Sequence, residues 1–379
     1  MKIAFVYDAV YPWVKGGAEK RIYELARRLA SKGHQVHWYG MGYWWSEKGK
    51  KDIEMDGIHL HGVCKPLELY ENDRRSIKEA IYFAWRILFK LKARKFDIID
   101  CQGFPFFSCF SAKFKSFFNK STLVLTLHEV WNDYWYEYLG RAGIFGKLTE
   151  KRMVNLTDKI VTVSSKTKED LKKIKPTEDS LIIPNGIDLE EINQIKPHIT
   201  KPDIIFVGRL IKEKNTALLI KSLVTVKKTN PDIKCTIIGE GPQKKELEDL
   251  SKESGLKENI QFKGFMEDYH DVISHMKSSK ILVLPSKREG FGMVVIEANA
   301  CGLPAIVIDH PMNAAKDLIV DGKNGFIIES DEKALAGKVI EALDLKEKMT
   351  DSCKEFARDY DWNNIVNQLE IAYWDFLLK

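Results

Sequence analysis

The sequence predicts an α/β protein of two lobes, each built on a parallel β-sheet. Three observations point there. Short apolar runs alternate with helix-period patterns from one end of the chain to the other, the signature of strand–helix–strand units. The alternation then restarts after a break at residues 194–202. The chain has 379 residues, 44% hydrophobic and 11% aromatic, which is more than one core usually organises and enough for two.

In the first half, apolar runs at 3–7, 35–39, 98–101, 123–127 and 159–163 read as strands. Between Glu19 and Gly33, Ile22, Leu25, Ala26 and Leu29 recur at i, i+3, i+4 and i+7, marking one buried helix face ended by a glycine. A second series of strands is read at 204–207, 234–238, 260–263, 281–284 and 305–308, each followed by a helical pattern or a glycine turn. The expected lobes are therefore residues 1–196 and 197–359. The last stretch carries Ile365, Leu369, Ala372, Tyr373 and Phe376 at helical spacing, which suits a closing amphipathic helix. Its pattern does not say which lobe it packs on.

Composition excludes several classes. The 59 basic and 54 acidic residues leave a net charge of +5, too small a surplus to argue for nucleic acid. Cys64, Cys101, Cys109, Cys235, Cys301 and Cys353 form no CxxC pair and no Cys/His ligand spacing, which argues against zinc and for reduced thiols in a cytoplasmic compartment. The N-terminus meets Asp8 before any long apolar run and reads as a first strand, not a signal peptide. The longest apolar stretch, 80–91, is broken by Arg86 and Lys90 and falls short of the ~20 residues that span a bilayer.

The segment richest in chemical signal is 285–304, PSKREGFGMVVIEANACGLP. Glu289 precedes a Gly-flanked turn, and Glu297 lies in the apolar helix that follows. A carboxylate buried there without a partner costs several kcal/mol, and ligand hydroxyls are one kind of partner. Arg209 and Lys214 in GRLIKEK lie just past a strand end, where ligands gather in open α/β sheets and two cations can hold a diphosphate. Solvated surface residues are the plain alternative. The helix N-terminus at Gly290, Phe291, Gly292 and Met293 adds a second anion-binding element on that rim. Gly16 and Gly17, ahead of the first helix, offer free backbone N–H groups or only a tight turn. His128, at the end of LVLTLH, is either a hydrogen-bonded structural residue or a ligand contact. GEGPQKK at 239–245 superficially resembles a dinucleotide fingerprint but lacks the third glycine, and no GxxxxGK[ST] loop is present, so NAD and P-loop chemistry are not expected.

Taken together, GGAEKR, PNGID, GRLIKEK, IIGEGP, EGFGMVVIE and ACGLP resemble glycosyltransferase family 4, the large retaining group with the GT-B fold. The likeness covers most of the chain; it is strongest over 161–326 and thinner over 42–135. It implies two Rossmann-like lobes facing across a central cleft, helix 360–379 returning to the first lobe, and a nucleotide-sugar donor held mainly by the second. By that likeness Arg209 and Lys214 neutralise the diphosphate, assisted by the amides of Phe291, Gly292 and Met293. Glu297 binds the ribose, Glu289 addresses the transferred sugar, and the backbone at Phe265 and Met266 flanks the base. Gly16 and Gly17 bring amides to the donor phosphates, and His128 contacts the sugar near the reacting carbon. No DxD pair sits at a strand end, so no metal and no cofactor are expected, the cations and helix N-terminus standing in for one. One departure is DHPMNAAKDL at 309–318, where the family often carries a Gly-Gly and Glu pattern; the Asn313, Ala314 and Ala315 amides are left to face phosphate or sugar.

The function implied is transfer of a hexose or N-acetylhexosamine from a UDP- or GDP-sugar to a hydroxyl acceptor, either lipid-linked or a glycan precursor. The alternatives are a nucleotide-sugar binding protein without turnover and a GT-B sugar-nucleotide epimerase. On the acceptor side, basic and aromatic residues interleave over 78–96 and 104–120. They read either as core aromatics with solvated lysines, or as a peripheral contact with an anionic membrane at its inner face.

Overall fold

In the computed structural model, which describes residues 1–71, 74–91 and 96–378, the chain divides into two units, Met1–Asn185 with Trp362–Lys379, and Gly186–Asp361. The first unit holds a sheet of β1 (Lys2–Val6), β2 (Gln35–Gly40), β3 (Asp52–Met55), β4 (Ile58–Gly62), β5 (Ile98–Gln102), β6 (Thr122–Leu127), β7 (Ile160–Thr162) and β8 (Leu181–Ile182). Their spatial order is β8-β7-β6-β5-β1-β2-β4-β3. All neighbours run parallel except the β3–β4 hairpin. That hairpin turns on Asp56 and Gly57, both at positive φ, as a two-residue loop between right-twisted strands requires.

Strand alternation divides the core of this unit. Ile3 and Phe5 point to one face, where they meet Ile22, Leu25 and Leu29 of the helix Gly17–Ser31 and Trp362, Ile365, Leu369 and Tyr373 of the helix Trp362–Leu378. Ala4 and Val6 point to the other, against Phe83 and Ile87 of the helix Ile77–Lys90 and Cys109 and Ala112 of the helix Phe107–Asn119. Each large apolar side chain so buried contributes roughly 1.5–3 kcal/mol. The C-terminal helix thus closes the first unit.

The second unit carries β9 (Ile204–Val207), β10 (Cys235–Ile238), β11 (Ile260–Gly264), β12 (Ile281–Leu284), β13 (Ala305–Ile308) and β14 (Gly325–Ile328), in the order β11-β10-β9-β12-β13-β14 and wholly parallel. β12 and β13 are buried along their whole length, as a sheet covered on both faces demands. Residues 186–198, ahead of the restart from which the 196/197 division was read, pack with this unit. Ile187 N donates to Tyr360 O (2.8 Å), Lys277 Nζ to Ile195 O (2.7 Å), and His198 N to Ser274 O (3.0 Å).

Both sheets begin in the middle. β1 is flanked by β2 and β5, and β9 by β10 and β12, so each sheet reverses its strand order beside its first strand. Ligands of open α/β sheets bind outside the carboxyl ends of the strands at that reversal.

Candidate active site

In the second unit the reversal lies between β9 and β12, and the residues leaving those two strands are the ones singled out by sequence. Arg209 follows β9 and is exposed. Lys214 closes a short 3₁₀ turn, Lys212–Lys214, and its Nζ lies 2.5 Å from Glu289 Oε1. Lys287 N donates to Glu213 O (2.8 Å), stapling the turn to the segment after β12. Glu289 is further set by a two-residue parallel ladder, Arg288–Glu289 with Met312–Asn313. Asn313 is fully buried and anchors that ladder through Nδ2–H to Ile308 O (2.9 Å). A cation and a carboxylate 75 residues apart are thereby brought together.

Glycines make this edge possible. Gly292 caps the helix Met293–Ala300 at φ +103°, where a Cβ would stand 2.6 Å from that of Ala315. Gly239 sits at φ +142°, and a Cβ there would meet Gly208 O at 1.9 Å. The glycine of IIGEG that resembled a nucleotide fingerprint thus serves close packing of the β9 and β10 loops. Gly290 is half-buried and Phe291 buried, its ring 6.1 Å from that of Tyr360.

Glu297 is 7% exposed, and its partner is Tyr269, whose hydroxyl donates to it. Burial and the Glu297 charge push the Tyr269 pKa well above its ordinary value. Phe265 and Met266 follow β11 on the same edge, Phe265 exposed and Met266 half-buried. In the departing segment 309–318, the Asn313 and Ala315 amides are taken internally, by His310 O (3.0 Å) and Asn313 Oδ1 (3.1 Å). Neither is left for phosphate or sugar, because the turn before the 3₁₀ segment Ala314–Leu318 uses them.

In the first unit, Gly16 is the N-cap of the helix Gly17–Ser31. The Glu19 carboxylate folds back beneath it, within 2.4 Å of where a Gly16 Cβ would stand. Burial and the nearby Asp8 push the Glu19 pKa up to about 7. The helix end thus carries a titrating acid of its own, while Gly17 faces open space. At the end of β1, Asp8 is fully buried and ion-pairs with Arg75, whose Nη2 is also 3.3 Å from Glu79 Oε2. Burial and the Asp8 charge push the Glu79 pKa up. Sequence reading missed this cluster.

His128 directly follows β6, inside a polar network. Gln102 Nε2 donates to Asp100 Oδ1 (3.0 Å), which fixes its amide so that Oε1 faces His128 Nε2 at 2.8 Å. The amide oxygen only accepts, so Nε2 carries the proton and Nδ1 is the acceptor. Burial and the Arg21 charge push His128 down to about 3, leaving it neutral at physiological pH. Asp100 also accepts from Thr126 Oγ1 (2.8 Å) and from Tyr373 Oη (2.6 Å) of the closing helix. Burial nevertheless raises its pKa.

The basic-aromatic segments divide. Phe83 and Phe106 are buried, as a core reading requires, but Ile77, Ile81, Trp85 and Phe89 form an exposed stripe at i, i+4, i+8 and i+12. Phe114, Phe117 and Phe118 are exposed on the helix Phe107–Asn119, which packs against the helix Ile77–Lys90. Positions 92–95 of the first segment lie outside the described residues. Among the described residues, no helix is long and apolar enough to cross a membrane.

Residues 15–191 match the family model described as Glycosyltransferase Family 4, and residues 188–360 the model described as Glycosyl transferases group 1. An uncharacterised glycosyltransferase of Methanocaldococcus jannaschii is 27% identical over 62% of this chain and 64% of its own length. An uncharacterised glycosyltransferase of Haemophilus influenzae is 28% identical over 93% of this chain and 95% of its own length. Among solved structures, Anabaena HepE in complex with UDP and glucose superposes with a TM-score of 0.74 at 19% identity, covering 99% of this chain and 100% of that one.

Proposed function

This chain belongs to glycosyltransferase family 4 and has the GT-B fold, and from that premise we propose that it moves a hexose or N-acetylhexosamine from a UDP- or GDP-sugar to an acceptor hydroxyl, with retention of configuration. The observation that carries this reading is the Lys214–Glu289 contact at the strand reversal of the second sheet. Breaking the bond from the sugar to a diphosphate develops negative charge on the leaving group and positive charge on the sugar. A cation and a carboxylate held side by side are matched to those two charges. Arg209 and the amides of Phe291, Gly292 and Met293 assist the leaving group. Glu297, oriented by Tyr269, takes the ribose hydroxyls, and the backbone near Phe265 and Met266 flanks the base. In the first unit, the Gly16–Gly17 amides address phosphate, and neutral His128 hydrogen-bonds the sugar. The acceptor oxygen bonds to the anomeric carbon as the carbon–phosphate-oxygen bond breaks, and its proton passes to the released diphosphate.

A donor of this class fits the UDP and glucose held by the Anabaena neighbour. Thermal-shift measurements with UDP, GDP and ADP test it. The right nucleotide at about 100 times its dissociation constant is expected to stabilise the protein by about 2.7 kcal/mol. No shift with any nucleotide would remove the donor reading. Product analysis with labelled donor sugar separates transfer from epimerisation and from binding without turnover.

The exposed stripe supports peripheral attachment to an anionic membrane on the cytoplasmic side, which agrees with an acceptor that is lipid-linked. Exposed Lys78, Lys90, Lys113 and Lys120 accompany it, each nearby cation being worth about 1 kcal/mol at such a surface. The protein is expected to float with phosphatidylglycerol vesicles at low salt and to be released at high salt or by Trp85→Glu with Phe89→Glu. Flotation insensitive to both salt and the substitutions would count against it.

A further inference from the structure

A groove of about 770 Å³ lies wholly within the first unit, between the start of the helix Ile77–Lys90, the 104–107 turn and the helices Tyr134–Leu139 and Gly143–Val154. Its walls are apolar and mostly aromatic: Phe104, Phe106, Trp135, Leu139 and Phe145. One end is cationic, lined by Arg74, Arg75 and Lys78, and no acidic side chain lines it among the described residues.

We infer that this groove holds the hydrocarbon chain of a single-chain lipid phosphate whose head, beyond the phosphate held against Arg74 and Lys78, carries the acceptor hydroxyl, and that this is how the acceptor is bound. The inference rests on the glycosyl-transfer reading and names its acceptor class. Three features carry it. A concave apolar site of this volume is in the range of small-molecule pockets, and an apolar chain with one anionic end matches both halves of its lining. Arg75 ties the cationic end to the end of β1, since it ion-pairs with buried Asp8 while its backbone N–H donates to Tyr138 Oη (2.8 Å). A lipid seated in the groove therefore presents its head beside the strand reversal of the first sheet, where ligands of such sheets are recognised. Ile77 belongs both to the groove and to the exposed stripe Ile77, Ile81, Trp85 and Phe89. The groove therefore shares a wall residue with the stripe proposed to meet the membrane, which offers a chain a route from bilayer to groove.

The test is equilibrium dialysis of the full-length protein with radiolabelled farnesyl phosphate below its micelle concentration. Saturable binding is expected, weakened about tenfold or more by Phe145→Asp, which sets a charge in an apolar wall, and by Arg74→Glu, which reverses a cation at the head. Phe145 is 71% exposed and Arg74 is exposed, so both variants are expected to fold, and their melting temperatures check this. Farnesol is expected to bind at least about tenfold more weakly than its phosphate. Equal affinity of both variants and the native protein, equal affinity for farnesol, or displacement by equimolar inorganic phosphate overturns the inference. Nucleotide stabilisation in the same samples separates the two readings. If UDP or GDP stabilises the protein while farnesyl phosphate does not bind, the groove assignment alone fails; lipid phosphate bound without any nucleotide effect removes the donor reading on which the acceptor role rests.

Discussion

Lys214→Ala is expected to lower kcat about 10²–10³-fold, with the dissociation constant of the nucleotide sugar rising by less than about tenfold. The ammonium is preplaced: its turn is stapled to the segment after β12, and its side chain is 20% exposed with Nζ against Glu289. In the proposed reaction the ester oxygen that joins the diphosphate to the neutral sugar carries no charge at the start. As the bond breaks, a new negative charge develops on that oxygen, so the cation is worth more in the transition state than in the complex. Lys214→Arg keeps the charge on a planar, longer fork and should recover only part of the rate. The pair is only 20% and 11% exposed, so removing the cation leaves a largely buried carboxylate without its partner, and the melting temperature of the variant is measured beside its rate. Steady-state rates beside donor binding by calorimetry decide it. An unchanged kcat, or a loss lying wholly in donor affinity, would show that Lys214 binds without catalysing.

How legible this protein was in its sequence depended on burial. β9, β12 and β13 are covered on both faces, so their residues had to be uniformly apolar, and IIFV, ILVL and AIVI are. The β3–β4 hairpin lies at a sheet edge, and Asp52, Glu54, His59 and His61 interrupt its apolar positions. Its one clear signal was Asp56-Gly57 between Ile53, Met55, Ile58 and Leu60. In the closing helix, Ile365, Leu369, Ala372, Tyr373 and Phe376 are buried at the positions that the pattern marked. What the pattern lacked was the partner, because Asp100, which receives the Tyr373 hydroxyl, is 273 residues away.

The same distinction runs through the site. Lys214 could be picked out because it follows a strand end, and Glu289 and Gly292 because a carboxylate and a Gly-flanked turn follow one another locally. Asp8, Arg75 and Glu79 could not. Asp8 lies just past an apolar strand, while Arg75 sits inside a polar run, ENDRRS, that reads as solvated surface. Only the folded chain brings the two together across 67 positions. Glu297 was rightly singled out as a carboxylate in need of a partner, but Tyr269, 28 residues earlier on another helix, could not be named from composition. His128 shows the limit of residue type. Histidine suggests proton transfer at neutral pH, yet burial and Arg21 hold this one neutral, so hydrogen bonding is what it can offer.

Glu289→Gln is expected to lower kcat about a hundredfold, and the way this loss combines with Lys214→Ala distinguishes two roles for one carboxylate. Glu289 Oε1 holds Lys214 at 2.5 Å, so part of its effect is orientation of the cation. Its charge also stands where the proposed reaction develops positive charge on the sugar. Glutamine keeps a hydrogen-bond acceptor for Lys214 and removes the charge, so it spares orientation more than electrostatics. Were orientation the whole role, Glu289→Gln would cost nothing once Lys214 is gone. With both roles present, the double variant should be slower than either single one, yet faster than the product of the two losses by a coupling of about 0.5–3 kcal/mol. The ladder to Asn313 and the staple to Glu213 are made by backbone atoms, so the substituted side chain stays in place and the comparison is sound. Four kcat values, from native, two single and one double variant, measure the coupling. A double variant no slower than Lys214→Ala would reduce Glu289 to a positioning residue and leave the departing sugar without its counter-charge.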